Sequence, residues 1–484
     1  MSPLKPGAAP PRARLLTSCS RAVLALVLLS LLVVATPGAP TLARGEDAPL
    51  AVAATGELPA FPGAQGYGAL TPGGRGGTVL FVTNLNDAGP GSLRAALEAS
   101  GRRIVIFRVG GVIRLSTSIS ITHPYVTLAG QTAPGDGIVL RGGGLKIRTH
   151  DVIVRGMRFR VGDDSAGEPA ITREGIMIAG PDRSGNPPRR IIIDHCSISW
   201  SIDENASVVG AEEVTIQWSL LSEGLNNSLH DKPGHSNALL IAENSRRVSV
   251  HHNLLAHHWY RSPLVKGGTE AEILANVVYN WGSGATVFED GSGAGPTRAV
   301  VAGNVYRRGP STQNDTALRI YKSVAAGSAI FVSENIGAAR VMADAPVLAG
   351  AAPLAAPAVP VRAVAPAAVL DAVLFGAGAR LPASDPIDRR VVAEVRAGTG
   401  RIIDTVAEVG GWEVLARWDA GAAPADGDGD GMPDAWERER GLNPADPADG
   451  ARQAPSGYTW VEEYINGIAP RGLSAQVYLP LAGR

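Results

Sequence analysis

Cysteine is almost absent from this chain, and that absence narrows the ways in which it can be held together. Of the 2 cysteines, Cys19 lies ahead of an N-terminal apolar run and Cys196 stands alone in the remainder. A single thiol cannot form an internal disulfide, so packing, turns and metal are left to hold the fold. Net charge is equally scarce: 44 basic against 45 acidic residues leave a formal charge of -1, so no global basic field attracts nucleic acid and any polyanion binding must be local. Aromatic residues make up only 5% of the chain while glycine reaches 59 residues, a balance that suits short strands and tight turns better than long packed helices.

Long hydrophobic runs are missing too, with one short exception. Arg12, Arg14 and Arg21 precede the apolar stretch from Ala22 to Ala35, and Pro37 and Pro40 follow it. The order is that of a secretory signal peptide over residues 1–43, cleaved after Ala43 with Thr41 and Ala43 at the recognition positions. An uncleaved anchor is the competing reading, but the run falls short of the roughly 20 residues needed to span a bilayer. The expectation is a secreted, extracellular protein without stable membrane insertion after cleavage.

What is present is a repeat. From about Arg103 to Ile336, short β-branched segments recur at intervals of roughly 22 to 34 residues, among them Ile191 to Asp194, Val214 to Gln217, Val248 to His251, Ile273 to Ala275, Val300 to Ala302 and Phe331 to Ser333. The spacing is too long for hairpins and lacks the helices of βαβ units, which predicts an all-β parallel solenoid. Asn253, Asn276, Asn304 and Asn335 each follow a β-branched residue by three positions, which predicts a stacked amide ladder at a turn tolerant of left-handed backbone. A second strand set interleaves: Gly175 to Ile178, Asn205 to Val209, Asn237 to Ala242, Pro263 to Lys266 and Ala285 to Phe288, with polar residues at its strand starts. The Gly-rich opening before the repeats, with a short helix from Ser92, reads as a cap on the first coil, since an open solenoid end exposes unpaired edges.

The stretches IIIDHCSISWSIDENAS (Ile191 to Ser207), VTIQWSLLSEGLN, HHNLLAHHWYRSPLVKGG and ILANVVYNWG, in this order, resemble the pectate lyases of polysaccharide lyase family 1, over roughly residues 60 to 340. The resemblance implies a right-handed parallel β-helix. It also implies a monomeric enzyme that cleaves α-1,4-linked polygalacturonate (pectate), an acidic polysaccharide, by Ca2+-assisted β-elimination. Proton abstraction falls to Arg261 of the R-x-P loop, which requires an alkaline optimum or a strongly perturbed guanidinium, because arginine is ordinarily always charged. The family's second basic residue is here Lys266, and its second acidic-segment carboxylate is here Ser207, leaving Glu204 or water to complete the calcium shell. The substrate lysine falls at Lys232, with His235 and Asn237 closer to the strand.

Coil spacing agrees with that implication. Glu174 and Asp203 begin consecutive strands, so strands about 4.8 Å apart would let their carboxylates converge on one hard cation. Arg261 begins a strand two coils further on, roughly 10 Å from Asp203, with room for one sugar ring between. Each candidate has a plainer reading as well. Asp194 and His195 read as bonds between coils, and His251, His252, His257 and His258 as alternating strand positions without zinc spacing. Trp259 and Tyr260 read equally as sugar platforms or wall packing. Outside catalysis, the same solenoid would serve as a glycan-binding or adhesive surface protein, or as an enzyme for another uronan.

A second motif stands apart. Residues 341–420, rich in Ala, Pro and Val at first and regaining helical and strand pattern from Asp388 to Leu415, read as a linker and coat packed on the helix. Within 421–470, DGDGDGMPDAWE places Asp426, Asp428 and Asp430 at loop positions one, three and five. Gly431 falls at six, Asp434 at nine and Glu437 at twelve, the pattern of an EF-hand-type calcium loop. This predicts a small structural calcium module.

Overall fold

The computed structural model describes residues 56–337, 340–344 and 354–468. The expected signal segment and the tail from Gly472 to Arg484 lie outside the described residues. Strands recur in threes and pair only with the strand three places before or after, apart from the first, which pairs with the second. The result is a parallel β-helix of three sheets with 10, 9 and 9 strands. The first sheet runs from Thr78–Val82 to Ala329–Ser333 and contains all six segments of the first predicted set. The second runs from Ile119–Ile121 to Arg340–Ala343 and contains all five of the other set. The third, including Ser197–Ser199, Leu220–Ser222, Leu254–Ala256 and Val277–Tyr279, was not predicted. Strands of two to four residues are too short to show a period.

Alternation along the strands builds the core. Ile191 and Ile193, Val214 and Ile216, Val248 and Val250 point inward and stack coil on coil, while their neighbours Ile192, Thr215 and Ser249 face out. At the corner after the first sheet the asparagine ladder is present. Asn253 Nδ2 donates to Asn276 Oδ1 at 3.0 Å, Asn276 to Asn304 at 3.0 Å, and Asn304 to Asn335 at 2.9 Å. The reason differs from the one expected. The left-handed residue is the one before each asparagine: His252, Ala275, Gly303 and Glu334, with φ between 52° and 66°. The asparagines are selected because their amides satisfy backbone groups of adjacent coils, such as the Ile216 and Val250 carbonyls.

The helix Leu93–Glu98, capped by Ser92, buries Leu93, Ala96 and Leu97 against the first coil, and the buried Arg103 donates to its Ala96 and Leu97 carbonyls. It is the predicted cap. The Gly-rich opening is not part of that cap; it runs along the outer face of the first sheet, where Tyr67 and Gly68 N–H groups donate to Ser249 and Thr215 hydroxyls. A Cβ on Gly68 would lie 2.2 Å from the Ile191 carbonyl oxygen, so only glycine allows that approach.

Helices Pro366–Gly376 and Pro386–Ala397 cover the third sheet, packing Val369, Val373, Val391 and Val395 on Leu220, Leu254 and Val277. Beneath them Arg160, fully buried, lies 2.6 Å from both Asp385 and Asp388. After Asp388 the described residues form helix and 3-10 turns and no strand, because the segment lies across a sheet rather than pairing with its edge. Helices Asp434–Arg440 and Trp460–Asn466 pack on the first coils of the first sheet, Met432, Val461 and Ile465 meeting Ile104, Ile106 and Ala129. With the other two sheets covered in this way, the second sheet presents the cleft.

Candidate active site

Parallel register stacks the strand starts of the second sheet. Glu204 pairs with Asn237, Asn237 bridges Tyr260, and the Gly175 N–H donates to the Glu204 carbonyl at 3.4 Å. Glu174, Glu204, Asn237 and Tyr260 therefore follow one another from coil to coil, and Arg261 comes immediately after Tyr260. Arg173 fixes its beginning: its guanidinium donates to the Gly162 and Asp164 carbonyls, and its own carbonyl accepts from Ile202 and Asp203.

The side chains meet in a depression of about 240 Å3 lined by Glu174, Asp203, Glu204, Ser207, Lys232, His235 and Arg261. Carboxylate oxygens of Glu174, Asp203 and Glu204 lie within 4.8 Å of one another. Burial, reinforced by the Asp203 charge and opposed by the Ser207 hydroxyl, pushes the Glu174 carboxyl up to about 8. Three carboxylates so close are stable as anions only with compensating cations, and hard oxygens in this number match calcium. Asp203 shares a hydrogen bond with His235 Nε2 at 2.8 Å, and Arg261 is ion-paired with Glu204. The Glu204 side chain reaches across the intervening coil to make that pair, so a carboxylate of the acidic group contacts the guanidinium directly. Burial lowers the Arg261 guanidinium from its ordinary value, against the pull of Asp203, Glu289 and Glu174.

Sequence reasoning missed His230. Its ring stacks on His235 with centroids 3.8 Å apart, and with Asp203 the two rings form a second close ligand set. No spacing signalled it, because the loop that carries it is placed from outside the solenoid by Asn226–Ile403 and Asn227–Asp404 hydrogen bonds. Lys232, exposed, reaches the cleft from the same loop. Lys266 stands at the opposite end of strand Leu264–Val265 and is not among the residues lining the depression. Ser207 is bonded to Glu174.

Other candidates resolve as structure. Asp194 joins Arg155 and Gln217 from the two neighbouring coils and the adjacent His195. His257 and His258 are buried on Asn280 and Asn205, and no close ligand set among the described residues includes the four central histidines. Trp259 and Tyr260 lie against the backbone of Gly282 and Gly284.

A second carboxylate cluster lies in the C-terminal loop. Asp426, Asp428 and Asp430 form one close set; Asp430, Glu437 and Asp449 form another. Burial, then the charge of Asp430, pushes Glu437 up to about 7; burial likewise brings Asp430 to about 7, with Asp428 and Asp426 adding to it. Asp434 belongs to neither set, contrary to its place in the motif. Its Oδ1 accepts from the Gly427 N–H at 2.6 Å and its Oδ2 pairs with Arg438 at 3.3 Å, as befits the first residue of a helix.

A solenoid of three parallel sheets with a cleft of acidic and basic groups on one of them places the chain among parallel β-helix proteins. The crystal structure of jun a 1, the major allergen from cedar pollen, has this fold, with a TM-score of 0.52 at 17% identity over 65% of this chain and 92% of that one. No protein-family profile matches the chain. Curated sequences do: a "Probable pectate lyase C" from Aspergillus fumigatus is 37% identical over 442 residues, 85% of this chain and 94% of its own length. One from Aspergillus terreus is 37% identical over 435 residues with the same coverages. The chain belongs to the pectate lyase family and is a polysaccharide lyase.

Proposed function

We propose that the protein is a secreted pectate lyase that cleaves α-1,4-linked polygalacturonate by calcium-assisted β-elimination and releases unsaturated oligogalacturonides. The observation that carries this is the meeting of Glu174, Asp203 and Glu204 with Arg261 in one cleft. The three carboxylates are the residues that would hold calcium. When bound, the ion neutralises the uronate carboxylate and so acidifies the C5 proton beside it.

In this reading Arg261 takes that proton, and burial, opposed by the neighbouring carboxylates, favours its neutral form. As the C5–H bond breaks, its electrons form the C4=C5 double bond, the C4–O bond breaks, and the glycosidic oxygen leaves with a proton from solvent. A cation held by Glu204 would compete for the carboxylate that otherwise engages Arg261. Lys232 and His235 at the cleft, and Lys266 beyond it, are the candidates for binding uronate carboxylates along the polymer.

The proposed organisation is a leader over 1–43, the lyase body over 60–340, a coat over 341–420 and a calcium-loop module over 421–470, in a monomer. No helix among the described residues is long and apolar enough to cross a membrane. Asp426, Asp428, Asp430 and Glu437 hold a second, structural calcium in this reading.

The purified protein, given polygalacturonate and calcium, should produce an ultraviolet-absorbing double bond, and a chelator should abolish it. Reducing ends that appear without the double bond would establish hydrolysis and overturn the proposal.

A further inference from the structure

We infer that the C-terminal ion is held by Asp449, from outside the twelve-residue loop, in place of Asp434, and that it fastens the C-terminal helices together on the first coils of the solenoid. The inference rests on the loop being a calcium site, as proposed above.

Asp449 is 1% exposed and Glu437 is 0% exposed. Asp449 Oδ1, both Glu437 oxygens, Asp430 Oδ2 and Asp428 Oδ2 are buried without a hydrogen-bond donor. Buried carboxylate oxygens are ordinarily satisfied, and five orphaned ones in one place mark where a cation belongs. The other Asp449 oxygen is engaged, accepting from the Asn443 N–H at 3.0 Å, which orients the free one. Asp434 has no such oxygen to offer, since Gly427 and Arg438 occupy it. The chain beside Asp449 passes so near the site that a Cβ on Gly450 would lie 2.4 Å from Asp430 Oδ2.

Position also gives the ligand a mechanical consequence. The Gly450 carbonyl accepts from the Val461 N–H at 3.0 Å, inside helix Trp460–Asn466. Glu437 lies in helix Asp434–Arg440, and Asp426 is paired with Arg108, just beyond the strand Arg103–Phe107. One ion shared by Asp430, Glu437 and Asp449 would therefore join the loop, helix Asp434–Arg440 and the segment bonded to helix Trp460–Asn466, while the Asp426–Arg108 pair ties the same loop to the solenoid wall.

The test uses the full chain with Asp449→Asn, Asp434→Asn and Glu437→Gln, followed by terbium luminescence sensitised by the neighbouring Trp436 and by melting with calcium or chelator. Asp449→Asn should weaken terbium binding by about tenfold or more and remove most of the calcium-dependent rise in melting temperature, while Asp434→Asn stays within about twofold of the parent. In chelator Asp449→Asn should melt no lower than the parent, because it removes an uncompensated buried charge. A lower melting point in chelator, or a greater affinity loss for Asp434→Asn, would overturn the assignment of Asp449. If Glu437→Gln binds terbium like the parent, the loop is not a metal site and the underlying reading fails; if it loses binding while Asp449→Asn keeps it, only Asp449 is misassigned.

Discussion

The two carboxylate clusters of this molecule are built from similar groups in opposite ways. Glu174, Asp203 and Glu204 come from two coils of a rigid solenoid, and Arg261, His235 and the exposed Lys232 stand beside them. Asp426, Asp428, Asp430, Glu437 and Asp449 come from one 24-residue stretch, 426–449, with Arg108 paired at its edge and several oxygens sealed from any donor. The first arrangement is partly neutralised by its own cations and lines an open depression. The second holds several buried oxygens without a donor and no basic side chain within its close sets, so an ion proposed there would have a mechanical task. In the proposed reading the same chemistry serves turnover where several cations stand among the carboxylates, and cohesion where only Arg108 at the edge does.

Substitutions can break that contrast. Arg261→Lys keeps the charge in the cleft but moves the group proposed to meet the C5 proton, so turnover should fall about 10²- to 10⁴-fold with substrate affinity and melting temperature largely kept. Turnover near the parent's at every pH would remove Arg261 from proton transfer. Asp203→Ala should raise the calcium concentration for half-maximal turnover about tenfold or more, whereas Asp430→Ala should leave it unchanged and lower only the melting of the C-terminal module. Equal effects on turnover would show that the two clusters are not separable.

A ladder change tests whether the cleft depends on coil register. Asn276→Ala deletes the amide that bonds Val250 and Asn304, and should cost about 1–3 kcal/mol of unfolding free energy without altering the calcium response. Denaturant melts with and without calcium measure both. The smallest effect concerns pH. Asp430 and Glu437 are raised toward 7 in the fold, so the metal-free fold binds protons more readily than the unfolded chain. Their contribution is favourable below the ordinary carboxylate range and is lost as pH rises to about 7. In chelator the module should melt a few degrees lower at pH 8 than at pH 5. With calcium that difference should shrink, and a melting point that rises with pH in chelator would contradict the sign.

Much of the fold was legible because a solenoid repeats itself. Ile191, Val214 and Val248 announce one sheet by recurrence, and Asn253, Asn276, Asn304 and Asn335 announce a corner by a constant offset. Each strand of the third sheet is too short to carry a pattern, and its identity is settled only when Leu220, Leu254 and Val277 acquire helices to pack against. In the cleft, local order placed Glu174, Asp203, Glu204 and Arg261 at strand starts. It could not show that Glu204 would span to Arg261, since side-chain reach across coils is a property of the assembled sheet.

By itself, then, the sequence determined the parallel solenoid and two of its sheets, because repeated β-branched runs fix which residues share a face wherever the period is regular. It also determined the acidic loop, where Asp426, Asp428 and Asp430 are brought together within a single local turn. Only the tertiary structure decided the contacts made between distant segments: His230 stacked on His235 by a loop tied to Ile403 and Asp404, and Asp449 brought to Glu437 while Asp434 turned to its own helix end. Spacing carries no trace of these, because chain separation says nothing about which buried oxygens packing will leave without a donor.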